Sequence, residues 1–420
     1  MVGSHSEHDS EETLNRRLKA EDIVERLKRF QALEIGACRM LGGWLPAVAN
    51  WEAKHEIGRH LWEDAQHSRE LRTRLWELRV GNPDRPTDAG VSRIIQGLTS
   101  AQEDFEFLAG LYLVFKSEIV NAYRAIVART HAVYDAPTIA AIGRILPDKE
   151  RQLEWARHAI KNLTDTGEMQ RQSARWQTYI THLLAQEGGV SGDVPANDAD
   201  AVTLPPGYSC QLPFVQASRD SRFSITLSSP EIPAEDDEHG KVLFQFFNYT
   251  QEMQAAETLG SMLWEADGME WEFYFDIARH CYDEVRHSAL GESRLAQLGH
   301  HVSDFPNYTA NYAWRQLYDP LRRYCVLTYV IEADSFKYKH ATYQEHLRRQ
   351  DNESAEAVLF DILDETIHVR FGQKWTPKLM ERYSYAGSLD ELVTECREIL
   401  ISNSINPLQR ESARQAKPPI

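Results

Sequence analysis

The chain has 420 residues, 42% of them hydrophobic and 26% charged, with a formal net charge of −17. That length allows two or three domains with sizeable cores, and the composition is ordinary for a globular protein in water. The acidic balance argues against nucleic acid or membrane as the main partner. The five cysteines form no Cys-x-x-Cys pair, which excludes zinc ribbons and thioredoxin-like redox motifs and fits a reducing compartment.

No apolar signal segment opens the sequence, and no apolar run approaches the length needed to span a bilayer, so a cytoplasmic protein is expected. Residues 18–165 are predicted to be mostly helical, with Leu71, Leu75 and Leu78 on one face. Residues 166–239 read as a helix followed by an irregular linker. It contains Gly-Gly-Val-Ser-Gly-Asp and Leu-Pro-Pro-Gly-Tyr, with room for a short strand around Phe223–Leu227. Residues 240–385 return to helical patterning, and 386–420 are expected to form a C-terminal helix and a loose tail.

The chemistry-bearing motifs lie in 240–385. Glu284-x-x-His287 and Glu365-x-x-His368 each place a carboxylate and an imidazole on one helix face. In an antiparallel helix pair, residues at equal height are equidistant from the turn. Glu252 and Glu284 are equidistant from Gly268, a helix breaker, and Glu332 and Glu365 are centred between Arg348 and Arg349, just before a cap-rich turn. Two Glu-x-x-His tetrads with one glutamate from each of two other helices make the ligand set of a di-metal four-helix bundle. His280, one turn before Glu284, is either a group that orients a ligand carboxylate or a further ligand. Asp283 and Asp364 are candidates for a supporting group or a further ligand, and Asp283 either bonds a histidine ring from behind or pairs with an arginine.

The first half repeats part of this frame. Arg59-His60, Asp64 and His67 match Arg279-His280, Glu284 and His287 in register, and Glu34-Ile-Gly-Ala resembles Glu252-Met-Gln-Ala. A duplication is the simplest account. Mirroring Glu118 across Asp135-Ala-Pro137 leads to 151–154, where Glu154 and His158 stand but no Glu-x-x-His occurs. A lost or remodelled site is therefore expected from Glu34, His60, Asp64, His67, Glu118, Glu154 and His158.

On these residues, 240–385 resembles the ferritin-like di-metal carboxylate superfamily, whose members include rubrerythrins, ribonucleotide reductase small subunits and manganese catalases; residues 18–165 share the resemblance more faintly. The resemblance implies an all-α chain of two ferritin-like four-helix-bundle halves joined by the linker. It also implies Glu252, Glu284, His287, Glu332, Glu365 and His368 as ligands to two iron ions, or to manganese or a mixed Mn/Fe pair. The activity it implies is O2 activation, and we expect an oxidase or oxygenase acting on a small organic substrate, with an external electron donor and a homo-oligomer both open. Two other expectations stand beside it: a ferroxidase or metal-handling protein, and a structural or regulatory helical protein without chemistry.

Overall fold

The computed structural model describes residues 17–85, 89–193, 202–227, 231–234 and 236–415. The chain is all-helical; among the described residues there is no strand, and the segment around Phe223–Leu227 contributes only one parallel bridge, Ile225 to Asn307. The tail expected beyond residue 415 lies outside the described residues. No described helix is long and apolar enough to cross a membrane. Two compact units form: one from residues up to Met40 with Glu63–Gln211, the other from Leu41–Trp62 with Leu212–Ile420.

The first unit is built from the Ala20–Trp44 helix up to Met40, the end of the Trp51–Glu77 helix, and the helices Ala89–Thr99, Ala136–Leu163 and Gly167–Gln186. It also holds a long helical stretch over 104–129, whose middle, Ala109–Lys116, is π-helical. Local chemistry sets the boundaries. The Asp135 side chain accepts from the Thr138 N–H at the start of one helix with Pro137 in the first turn, and Thr166 caps the next. Phe30, Leu33, Leu71, Phe107, Tyr112 and Ile142 are buried in its core.

In the second unit, Glu238–Thr250 and Met253–Glu265 are separated by a turn at Gln251-Glu252, so the helix breaks beside a predicted ligand. The next turn contains Gly268 at φ +77°, a left-handed conformation that favours glycine. The Trp271–Gln297 helix runs back along both preceding helices. At Gly291 an added Cβ would lie 2.5 Å from the Phe246 carbonyl oxygen, so only glycine permits this approach. A further stretch, 320–348, is π-helical over Val326–Glu332. The cap of Asp351 on Ser354 then starts the Asn352–Arg382 helix.

The described residues between Gln186 and Glu238 contain no helix, as expected for a linker. Its second part is nevertheless tied down. Arg219 pairs with the buried Glu257 and donates to Asn307, while Lys54 reaches the same Glu257 at 2.6 Å. Glu257 is thus committed to a structural ion network.

Candidate metal centre

The Trp271–Gln297 helix carries His280, Glu284 and His287 at i, i+4 and i+7, all buried. The Asn352–Arg382 helix presents Asp361, Glu365 and His368 with the same spacing. Glu332 ends the π-helical turn and is 2% exposed, and Glu252 stands at the helix break. These eight residues form two groups, His280–Glu284–Glu332–His368 and Glu252–His287–Asp361–Glu365. In each group, one N or O atom from every residue lies within 4.8 Å of the others.

Glu284 connects the groups. Its Oε1 lies 3.4 Å from both His280 Nε2 and His368 Nδ1, and its Oε2 lies 3.9 Å from His287 Nδ1. His287 Nδ1 is 3.1 Å from Glu252 Oε2, and His280 Nε2 is 2.9 Å from Glu332 Oε1. The six ligands predicted from the sequence are therefore brought together. His280, ambiguous in sequence, has a ring nitrogen within the first group and its ring stacks on His368 at 3.8 Å.

The outer nitrogens of two histidines are cross-braced. His287 Nε2 lies 3.3 Å from Asp364, on the opposite helix, and His368 Nε2 lies 3.3 Å from Asp283. An aspartate that accepts from Nε2–H leaves Nδ1 facing inward as a lone-pair donor. Arg279 and Arg286 hold Asp283 at 2.7 and 2.6 Å, and Arg286 also reaches Asp364. Burial would raise the Asp283 carboxyl, but His368 and Arg279 hold it far below the usual carboxylate range. Asp283 and Asp364 thus each contact the outer nitrogen of a histidine in the two groups.

Six atoms facing the groups are buried and, although His287 Nδ1 and Glu252 Oε2 lie 3.1 Å apart, none makes a well-aligned hydrogen bond among the described residues: Glu252 Oε2, Glu284 Oε1, His287 Nδ1, Glu332 Oε2, Glu365 Oε2 and His368 Nδ1. Buried polar atoms are ordinarily satisfied, and a cation between these groups is one way to satisfy them. The donor set fits one. Imidazole and carboxylate suit iron and manganese, and no thiolate intrudes.

Two residues at this centre escaped sequence reasoning. Asp361 repeats, relative to Glu365 and His368, the stripe of His280, Glu284 and His287, and that shared spacing is the signal that would have found it. Lys339 donates to Asp361 Oδ1 and Glu365 Oε1, both at 2.7 Å, and carried no motif.

The first unit holds a third group, Glu34, Asp64 and His67, all buried. Its carboxylates already have ammonium partners. Lys149 Nζ lies 2.5 Å from Glu34 and 2.7 Å from Asp64, and Lys116 Nζ lies 2.7 Å from the other oxygen of Asp64. Tyr123 donates to Glu34, and Gln152 links Lys116 to Glu63. Glu118, Glu154 and His158, candidates for a degenerate site here, are all exposed and stand outside this group, in keeping with a remodelled site. Two residues along a helix turn a side chain about 200° away, so Lys116 points inward where Glu118 points out, and Gln152 faces in where Glu154 faces solvent. His60 is buried, with Glu56 one turn earlier at 3.6 Å.

A family model described as "Protein of unknown function (DUF455)" matches residues 210–417. No curated protein and no solved structure matches the chain.

Proposed function

We propose that residues 240–385 form a ferritin-like four-helix bundle with a di-metal centre of iron, manganese or both, and that the chain is an O2-dependent oxidase or oxygenase acting on a small organic substrate. The observation that carries this reading is the convergence of the six unpartnered buried atoms on two groups joined by Glu284. Divalent iron or manganese, when bound, would supply the electrons for reducing O2.

The chain's own residues do the rest. Glu284 offers one oxygen to each group. Asp283 and Asp364 fix the ring orientation of His368 and His287, and Lys339 balances part of the negative charge of Asp361 and Glu365. His280, His287 and His368 are at most 1% exposed, so the histidine side of the centre is screened from bulk water, where charge interactions would be weaker, while the Glu252 side chain is 25% exposed.

We read the first unit's cluster as a duplicate whose metals have been replaced by ammonium groups. The interval from Lys116 to Lys149 equals that from Glu332 to Glu365, and Gln152 follows Lys149 as His368 follows Glu365. Lys116 and Glu332 each end a π-helical segment. Asp148 contacts His67 as Asp364 contacts His287, at 3.3 Å in both cases. The replacements put positive charge where cations would sit, which keeps the carboxylates compensated without metal.

The test is to load the protein anaerobically with ferrous iron, count bound metal and follow O2 uptake. About two ions per chain are expected, as in other centres of this ligand type. They should be lost when Glu284→Ala and His368→Ala are combined. A chain that binds neither iron nor manganese, or a double variant that loads fully, would overturn the proposal.

A further inference from the structure

The proposed metal centre has a neighbour that none of the roles above uses. Arg315, at the end of the short Ala310–Arg315 helix, is 3% exposed. Among the described residues its guanidinium makes no hydrogen bond and no ion pair; its Nε is buried and unsatisfied, and its Cζ lies 5.4 Å from the Trp314 ring centroid. A buried guanidinium without a partner is costly, since desolvation is not repaid by hydrogen bonds. Burial lowers its pKa to about 10, and the charges of Glu284 and Glu332, two ligand positions, act against that fall. The Arg315 helix is also tied, through the Tyr312 N–H at 3.2 Å, to Gln254, two residues beyond the ligand position Glu252.

A second orphan donor belongs to the same region. Gln254 is 1% exposed and follows the Glu252 break. Its amide oxygen accepts the Tyr312 N–H at 3.2 Å, which fixes it against the Arg315 helix, while its Nε2 has no partner among the described residues.

Both Arg315 Nε and Gln254 Nε2 are donors, so the missing ligand is an acceptor. In the metal-free chain Glu284 and Glu332 partly offset Arg315, but metal ligation would take those carboxylates. Two divalent ions with Lys339 and Arg315 would then exceed the five carboxylates Glu252, Glu284, Glu332, Asp361 and Glu365 by one positive charge. A planar guanidinium is suited to a planar carboxylate. A phosphate dianion would overshoot the balance.

We propose that Arg315, assisted by Gln254, is the anion-recognition site beside the metal centre, and that the substrate is a monocarboxylate held there by its carboxyl group. The inference rests on the di-metal reading for the identity of the ligand as a substrate. The binding site itself stands on Arg315 and Gln254.

The experiment is isothermal titration of the full chain, metal-loaded and metal-free, with acetate, benzoate and octanoate against their matched primary amides, and with inorganic phosphate. The metal-loaded protein should bind at least one carboxylate about tenfold or more tighter than its amide, the range expected for a charged hydrogen bond. Arg315→Gln should remove that preference without changing metal content. Arg315→Lys, which keeps the charge but loses the fork, should retain only part of it. Circular dichroism of both variants checks the fold. If no carboxylate outbinds its amide, or if Arg315→Gln retains the preference, the anion site is wrong. Loss of metal from Arg315→Gln with carboxylate binding intact would make Arg315 a counter-ion only. A wild-type chain that binds no metal but shows Arg315-dependent carboxylate binding would overturn the di-metal reading and leave the anion site standing. A phosphate preference would overturn the monocarboxylate assignment.

Discussion

Replacing Lys149 with Met keeps the apolar stem and removes the ammonium from between Glu34 and Asp64. Asp64 would retain Lys116 at 2.7 Å, but Glu34 would retain only the Tyr123 hydroxyl and His67, the latter 3.8 Å away. Both carboxylates are fully buried. Burial pushes the Glu34 carboxyl up, yet Lys149, with His67, holds it down at about 2, from 4.5. A depression of that size corresponds to roughly 3 kcal/mol at neutral pH. Breaking a buried pair by removing one partner costs about 3–5 kcal/mol. The pH dependence follows from the direction of the shift. In the wild type this contribution is complete above about pH 4.5 and is lost as pH falls toward 2. In Lys149→Met burial is opposed only by His67, so the Glu34 pKa should rise and the deficit should shrink below about pH 5. Urea unfolding at pH 7 and pH 4.5, with hydrogen exchange over Ala20–Trp44 and Ala136–Leu163 to localise the effect, measures both. A loss under about 1 kcal/mol at pH 7, or one that is unchanged at pH 4.5, would refute the ion-pair account.

Restoring the ligand types of the second unit in the first, with Lys116→Glu, Lys149→Glu and Gln152→His together, should raise bound iron or manganese per chain, read by elemental analysis; no increase would argue against the duplicate-site reading. Asp283→Asn should weaken metal affinity about 10–100-fold by releasing the His368 ring. Competition with a coloured chelator gives the number, and unchanged affinity would remove Asp283 from its supporting role. Gly260→Ala should lower stability by about 1–3 kcal/mol, because the new Cβ would sit 2.6 Å from the Gly42 carbonyl oxygen and backbone must move. A thermal melt indistinguishable from wild type would mean this helix contact yields easily.

Helical periodicity and turn chemistry were enough to place much of this protein. They put His280, Glu284 and His287 on one stripe, set Glu365 and His368 on another, and located Glu252 and Glu332 by reflection across Gly268 and the turn before Asp351. Those features are local, because a 3.6-residue period and a left-handed glycine are properties of short stretches of chain. The same period could have revealed Asp361 and was simply not applied one turn back from Glu365. The tertiary structure decided what the period could not. The π-helical turns at Ala109–Lys116 and Val326–Glu332 alter the angular register, so a 100° step counted from upstream does not say which of Lys116 and Glu118 faces inward. Lys339 and Arg315 carry no motif at all. Their importance comes from which carboxylates lie near their charges once water is excluded, and burial of a charge is a property of the packed chain.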